Sequence, residues 1–127
     1  FVMMAAEVLA GQSVAADEKL IADPLIEKAV REKIDKPMGQ LTEVDLGKIM
    51  NLFLTNTQIT DEGIRELAKL QKLTVLSLNE TQITDAGLKE LAKLQKLGYL
   101  DLYNTKVTKA GVAELKKALP DCIIDGP

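Results

Sequence analysis

Few side chains in this sequence are equipped for chemistry. It contains no histidine, a single cysteine, Cys122, and two serines, Ser13 and Ser77. A serine or threonine nucleophile needs a base to activate it, and the commonest base, metal ligand and pH switch is missing altogether. Neither serine lies in a G-x-S-x-G turn, and the eight glycines are scattered without a G-x-x-x-x-G-K phosphate loop. Cys122 excludes by its solitude both an intrachain disulfide framework and a thiolate zinc cluster. Flanked by Asp121 and Ile123, it lacks the electropositive setting of a reactive thiol and is expected to be a small buried filler. One constellation survives. Asp101 and Asp125, with Asn79 nearby, offer the hard oxygen ligands that suit calcium, but two carboxylates are too few to hold it. As a general acid and base the pair would need burial to separate its two pKa values, which a shallow surface does not supply. No catalytic, cofactor-binding or metal-binding residue is assigned, and the chain is read as a non-enzyme with no cofactor.

What positions these residues is a repeat. The segment TQITDEGIRELAKLQKL begins at Thr57 and TQITDAGLKELAKLQKL at Thr81, with 14 of 17 positions identical at an offset of 24. A third copy from Thr105 keeps Thr108, Gly111, Glu114 and Leu115 before it decays. The same offset relates Leu52, Leu76, Leu100 and Ile124, and also Leu54, Leu78 and Leu102. Within a unit, the L-x-L core of Leu76 and Leu78 alternates inward and outward as a strand requires. Thr84 or Asp85 then caps a helix whose apolar stripe is Leu88, Leu91, Ala92 and Leu94. Each unit is thus a strand, a turn and a helix that cannot bury both apolar faces alone, so neighbours must stack. Composition agrees: the chain is 46% hydrophobic with only four aromatics, Phe1, Phe53, Tyr99 and Tyr103, so its core must be aliphatic.

The units, written L-x-x-L-x-L-x-x-T-x-I/V-T, resemble the bacterial leucine-rich-repeat family of the TxITDxGLxxLxxL type from about Leu25 to Pro127. The resemblance implies an α/β fold: a short right-handed solenoid, or horseshoe, with a parallel sheet on the concave side, helices on the convex side and an N-terminal helical cap. It also implies recognition of another protein as the task. Thr57, Thr81 and Thr105 stand where many relatives carry an asparagine ladder, and their hydroxyls are expected to bond turn backbone groups instead.

Three segments follow. Residues 1–16 are an apolar leader, either an amphipathic helix or the remnant of an export signal; the second reading would place the chain outside the cytoplasm, in the periplasm or secreted. At 16 residues the leader falls short of the roughly 20 that a membrane span needs, and no transmembrane span is expected. Residues 17–48 form a helical cap beginning at Asp23-Pro24, where aspartate caps and proline suits the first turn. Residues 49–127 hold about three repeats and a terminal strand at Ile124 with no helix after it, an open edge that also admits a homodimer.

Positions 24 apart on parallel strands fall side by side about 4.8 Å apart. One outward row is then Phe53, Ser77, Asp101 and Asp125; it is flanked by Asn51, Val75, Tyr99 and Ile123, and by Thr55, Asn79 and Tyr103. Three of the four aromatics project from one face. The expected protein-binding surface is therefore Asn51, Phe53, Thr55, Val75, Ser77, Asn79, Tyr99, Asp101 and Tyr103. The formal charge of -3, with ten acids and ten bases after residue 50, leaves no basic stripe to follow a phosphate backbone, so nucleic acid is not expected as a partner. The alternative function is that of a structural subunit in a larger assembly, held by the apolar leader and the open C-terminal edge.

Overall fold

The computed structural model describes residues 19–127; the leader of residues 1–16 lies outside them. The chain runs α1 (Pro24–Ile34), α2 (Glu43–Leu46), β1 (Asn51–Phe53), α3 (Asp61–Leu67), β2 (Val75–Ser77), α4 (Asp85–Leu91), β3 (Tyr99–Asp101), α5 (Lys109–Ala118) and β4 (Ile123–Asp125). The four strands form one parallel sheet in chain order. Its register is the 24-residue offset throughout: Leu52 pairs with Leu76, Leu76 with Leu100 and Leu100 with Ile124. Each of β1, β2 and β3 is followed by one helix, of 7, 7 and 10 residues, and each crossover sets the next strand beside the last in the same register.

The core lies between sheet and helices and is a column of aliphatic side chains. Leu76 and Leu100 of the strands, with Leu78 and Leu102 just past them, join Ile64, Leu67 and Leu91 of the helices and Leu94 just past α4, all 0% exposed. Among the described residues no aromatic enters it; the stacked layers are filled mostly by leucine and isoleucine. Cys122 is buried, as its neighbours suggested, and burial pushes its thiol pKa up.

At the N-terminal end, Asp23 caps α1 by accepting from the Leu25 and Ile26 amides at 2.9 and 3.3 Å. Ile26 and Val30 are fully buried in the shared core. Glu66 of α3 ties this segment to the first repeat, accepting from the Ala22 and Asp23 amides at 2.5 and 2.6 Å. The stretch Leu41–Leu46, ahead of the first strand, contains the short helix α2. A capping box made by Thr42 and Asp45 holds it, a pairing that the glutamate-based form of that motif would not flag.

Asp45 is buried and accepts from Lys36 Nζ at 2.7 Å and from the Thr42 amide at 3.0 Å. The Lys36 ammonium, followed by the Thr42 amide, lowers its pKa from the ordinary 3.8 to about 2. Asp85 is lowered too, by the Thr108 hydroxyl and then the Thr108 amide. A carboxyl whose folded pKa lies below its unfolded value binds its proton more readily when unfolded, so acid favours unfolding. The stabilisation is whole above pH 3.8 and is lost as pH falls towards 2. Urea midpoints measured across this window should drop, and Asp45→Asn should shrink the drop; an unchanged slope would discount the Asp45 contribution.

The turn after each strand explains two repeated choices. Thr57, Thr81 and Thr105 each donate a hydroxyl to the carbonyl of Leu54, Leu78 or Leu102 at 2.8 Å, as expected of threonine in place of asparagine. One residue earlier the backbone is left-handed, at Asn56 (φ 57), Glu80 (φ 59) and Asn104 (φ 59). Asparagine tolerates that region and glutamate does so poorly. Glu80→Asn, which copies the other two repeats, is expected to stabilise the chain by about 0.5–1 kcal/mol, read as a raised thermal midpoint. A lowered midpoint would mean that the Glu80 side chain supports the turn.

Beyond β4 no further strand of the described residues pairs with the sheet. Lys116 of α5 donates to the carbonyl of Cys122 at the start of that edge, which places a cation where an adding strand would dock.

Candidate interaction surface

The strand pattern decides which side chains leave the core. With Leu52, Leu76 and Leu100 turned inward, their neighbours 51 and 53, 75 and 77, 99 and 101 turn outward. Asn51 pairs with Val75 and Val75 with Tyr99, while Phe53 pairs with Ser77 and Ser77 with Asp101, which puts the expected rows together on one face. The third row lies just past the strands, where the ladder continues. Asn56 donates to the Asn79 carbonyl at 2.8 Å and Glu80 to the Tyr103 carbonyl at 2.9 Å, so Thr55, Asn79 and Tyr103 stay in step.

The face is unevenly open. Phe53 is 61% exposed and Tyr103 51%, whereas Ser77 is buried at 7%. The Ser77 hydroxyl lies 3.0 Å from that of Thr55, so both hydroxyls are already partnered. Asn51, Val75, Asn79, Tyr99 and Asp101 are half-buried and Thr55 is exposed. Sequence reading treats these nine positions alike; depth across the sheet separates them.

A polar mesh crosses the C-terminal half. Asn79 Nδ2 donates to Asp101 Oδ2 at 2.8 Å, and the Tyr103 amide donates to Asn79 Oδ1 at 3.2 Å. Tyr99 Oη donates to Asp125 Oδ2 at 2.7 Å. That bond to a carboxylate, together with burial and the nearby Asp101 charge, raises the Tyr99 pKa to about 12, so the phenol remains a donor at any physiological pH. Asp101 and Asp125 are therefore engaged by amide and phenol donors. Among the described residues, no group of three or more acidic, histidine or cysteine side chains is placed to hold a metal ion.

At the N-terminal half, Lys33 of α1 sets its ammonium 5.7 Å from the centre of the Phe53 ring, within reach of a cation–π attraction. Sequence reading missed this residue. Twenty positions separate it from Phe53, and only the packing of α1 beside β1 brings them together; nothing in the local pattern signals it.

On the far side of the core, the TDxG segments at Thr60 and Thr84 supply an inter-repeat clasp. Asp61 accepts from the Thr84 amide at 2.8 Å and its hydroxyl at 2.5 Å; Asp85 does the same for Thr108 at 2.8 and 2.5 Å. Gly87 and Gly111 face those carboxylates so closely that a Cβ would collide with them, and Gly63 faces Asp23 in the same way. The glycines that recur at the repeat period, Gly63, Gly87 and Gly111, are packing positions.

Residues 52–68 and 69–92 match the sequence pattern of the family described as Leucine Rich repeat. The fold is a leucine-rich-repeat solenoid. No curated protein matches the chain in sequence. Among solved structures, an internalin, InlF, from Listeria monocytogenes is similar at 23% identity and a TM-score of 0.62 over 83% of this chain and 29% of its own. Internalin C2 from the same species is similar at 27% identity and a TM-score of 0.58, over 83% of this chain and 54% of its own. A leucine-rich-repeat protein of Leptospira interrogans aligns over 69% of this chain and 28% of its own, with 23% identity and a TM-score of 0.48. The chain thus spans between about a quarter and about half of the length of these bacterial proteins. In solenoid terms, the sheet face described above is the concave side. No helix among the described residues is long and apolar enough to cross a membrane.

Proposed function

We propose that this leucine-rich-repeat solenoid is a non-catalytic protein-recognition scaffold that binds another protein on its concave sheet face. The observation that carries the reading is the display of Phe53 and Tyr103, 61% and 51% exposed, on the same face of a solenoid whose core, among the described residues, uses no aromatic. Exposed aromatics are favoured anchors at protein interfaces because they bury a large area with few rotamers to freeze. Stacked repeats also generate the kind of extended surface on which such anchors act together. Asn51, Thr55, Val75, Asn79, Tyr99 and Asp101 would line the contact around them, and Ser77 would support it from beneath.

Alanine at Phe53, Tyr99 and Tyr103 together is the test. A partner captured by the full chain should lose at least about tenfold in affinity, as expected when more than one anchor is removed. Alanine at Lys89 and Lys93 on the convex side should leave the affinity unchanged. A partner that is indifferent to the aromatic triple and sensitive to the convex pair would move the site to the helices.

A further inference from the structure

The concave face is electrically lopsided. Its outward rows contain two charged side chains, Asp101 and Asp125, adjacent in the pairing of β3 with β4. Their hydrogen-bond donors, Asn79 and the Tyr103 amide for Asp101 and Tyr99 for Asp125, are neutral. These donors orient the carboxylates without cancelling their charge, and among the described residues neither aspartate belongs to an ion pair. Lys33, the cation beside this face, stands at the other end over Phe53, two strands away from Asp101. Both carboxylates are half-buried at the sheet surface, where the lower effective dielectric strengthens their pull on an approaching cation. Two tyrosines border Asp101 along the strand direction, Tyr99 half-buried and Tyr103 exposed, and aromatic rings add attraction for ammonium and guanidinium groups.

We infer that the partner segment seated on the concave face presents an arginine or lysine side chain to Asp101 and Asp125, flanked by Tyr99 and Tyr103. The inference rests on the protein-recognition reading above and specifies the chemistry of the partner. An acidic segment would meet two uncompensated like charges, so the face selects against it as well as for a basic one.

The test uses the full chain, isotopically labelled, and two blocked hexapeptide probes, one alternating arginine with alanine and the other glutamate with alanine. The arginine probe should shift the amide signals of residues 99–103 and 123–125 at millimolar concentration, and the glutamate probe should not. Asp101→Asn with Asp125→Asn should weaken the arginine probe about tenfold. Each asparagine keeps an oxygen to accept from Asn79 or Tyr99, which preserves the fold. Should the double variant unfold, the unaltered chain still decides, because added salt must weaken the arginine probe. Equal binding of both probes, salt-insensitive binding, shifts confined to the helices, or no shift with either probe would overturn the inference. A natural partner that loses affinity with the aromatic triple variant but ignores the double asparagine variant would also overturn it, while leaving concave-face recognition standing. A partner indifferent to both variants would overturn the two together.

Discussion

Gly87→Ala is expected to destabilise the chain by about 2 kcal/mol, although the same change in an ordinary helix stabilises it by about 1 kcal/mol. Gly87 is the third residue of α4, where helix propensity alone favours alanine. A Cβ there would lie 2.6 Å from Asp61 Oδ1, the oxygen that accepts from the Thr84 amide at 2.8 Å. The carboxylate must swing away, and its second bond, to the Thr84 hydroxyl, goes with it. Hydrogen bonds to a charged group are worth about 1.5–3 kcal/mol each, so losing the pair outweighs the propensity gain. A double-mutant cycle isolates the cause. With Asp61→Ala already in place, Gly87→Ala should become neutral or stabilising, and urea unfolding would show the reversal of sign. If Gly87→Ala alone raised the urea midpoint, the clasp would be discounted and the glycine would need another explanation.

Leu76→Ala should have the largest effect of any single truncation considered, about 3–5 kcal/mol. Leu76 is 0% exposed and sits on β2 with Leu52 on one side and Leu100 on the other. Repeats are locked to both neighbours there, so the layers have little freedom to collapse into the void. With a total stability of about 5–15 kcal/mol for a domain of this kind, such a loss would leave much of the chain unfolded at moderate temperature. Ile124 occupies the same register position on β4 but is only half-buried, so Ile124→Ala should cost far less, about 1 kcal/mol, the lost transfer energy of a partly buried side chain. Thermal unfolding of the two variants tests the ordering. Equal losses would mean that the terminal repeat is as firmly packed as the central one, against the graded burial seen along the row.

Much of the architecture was legible in the residues because a solenoid is nearly one-dimensional. An offset of 24 that relates Leu52, Leu76, Leu100 and Ile124 becomes strand register directly, since one repeat makes one strand and one crossover. The outward rows follow from the two-residue alternation of a strand, and so does the gathering of Phe53, Tyr99 and Tyr103 on one face. The threonine turns were legible for the same reason: their bonds reach only three residues back. Contacts between elements without a shared period were not legible. Lys33 reaches Phe53 only because α1 packs beside β1. Depth across the sheet separates buried Ser77 from exposed Phe53 although the two occupy the same place in the repeat. Asp61 and Gly87 meet across 26 residues, at a separation that the repeat offset does not predict, because one belongs to a helix start and the other to the interior of the next helix. The sequence by itself determined which residues share a row. Only the packing of one layer on the next decided how far each is exposed, which charges it meets and which glycines lie against a neighbouring carboxylate, because those properties depend on distances between elements and not on spacing along the chain.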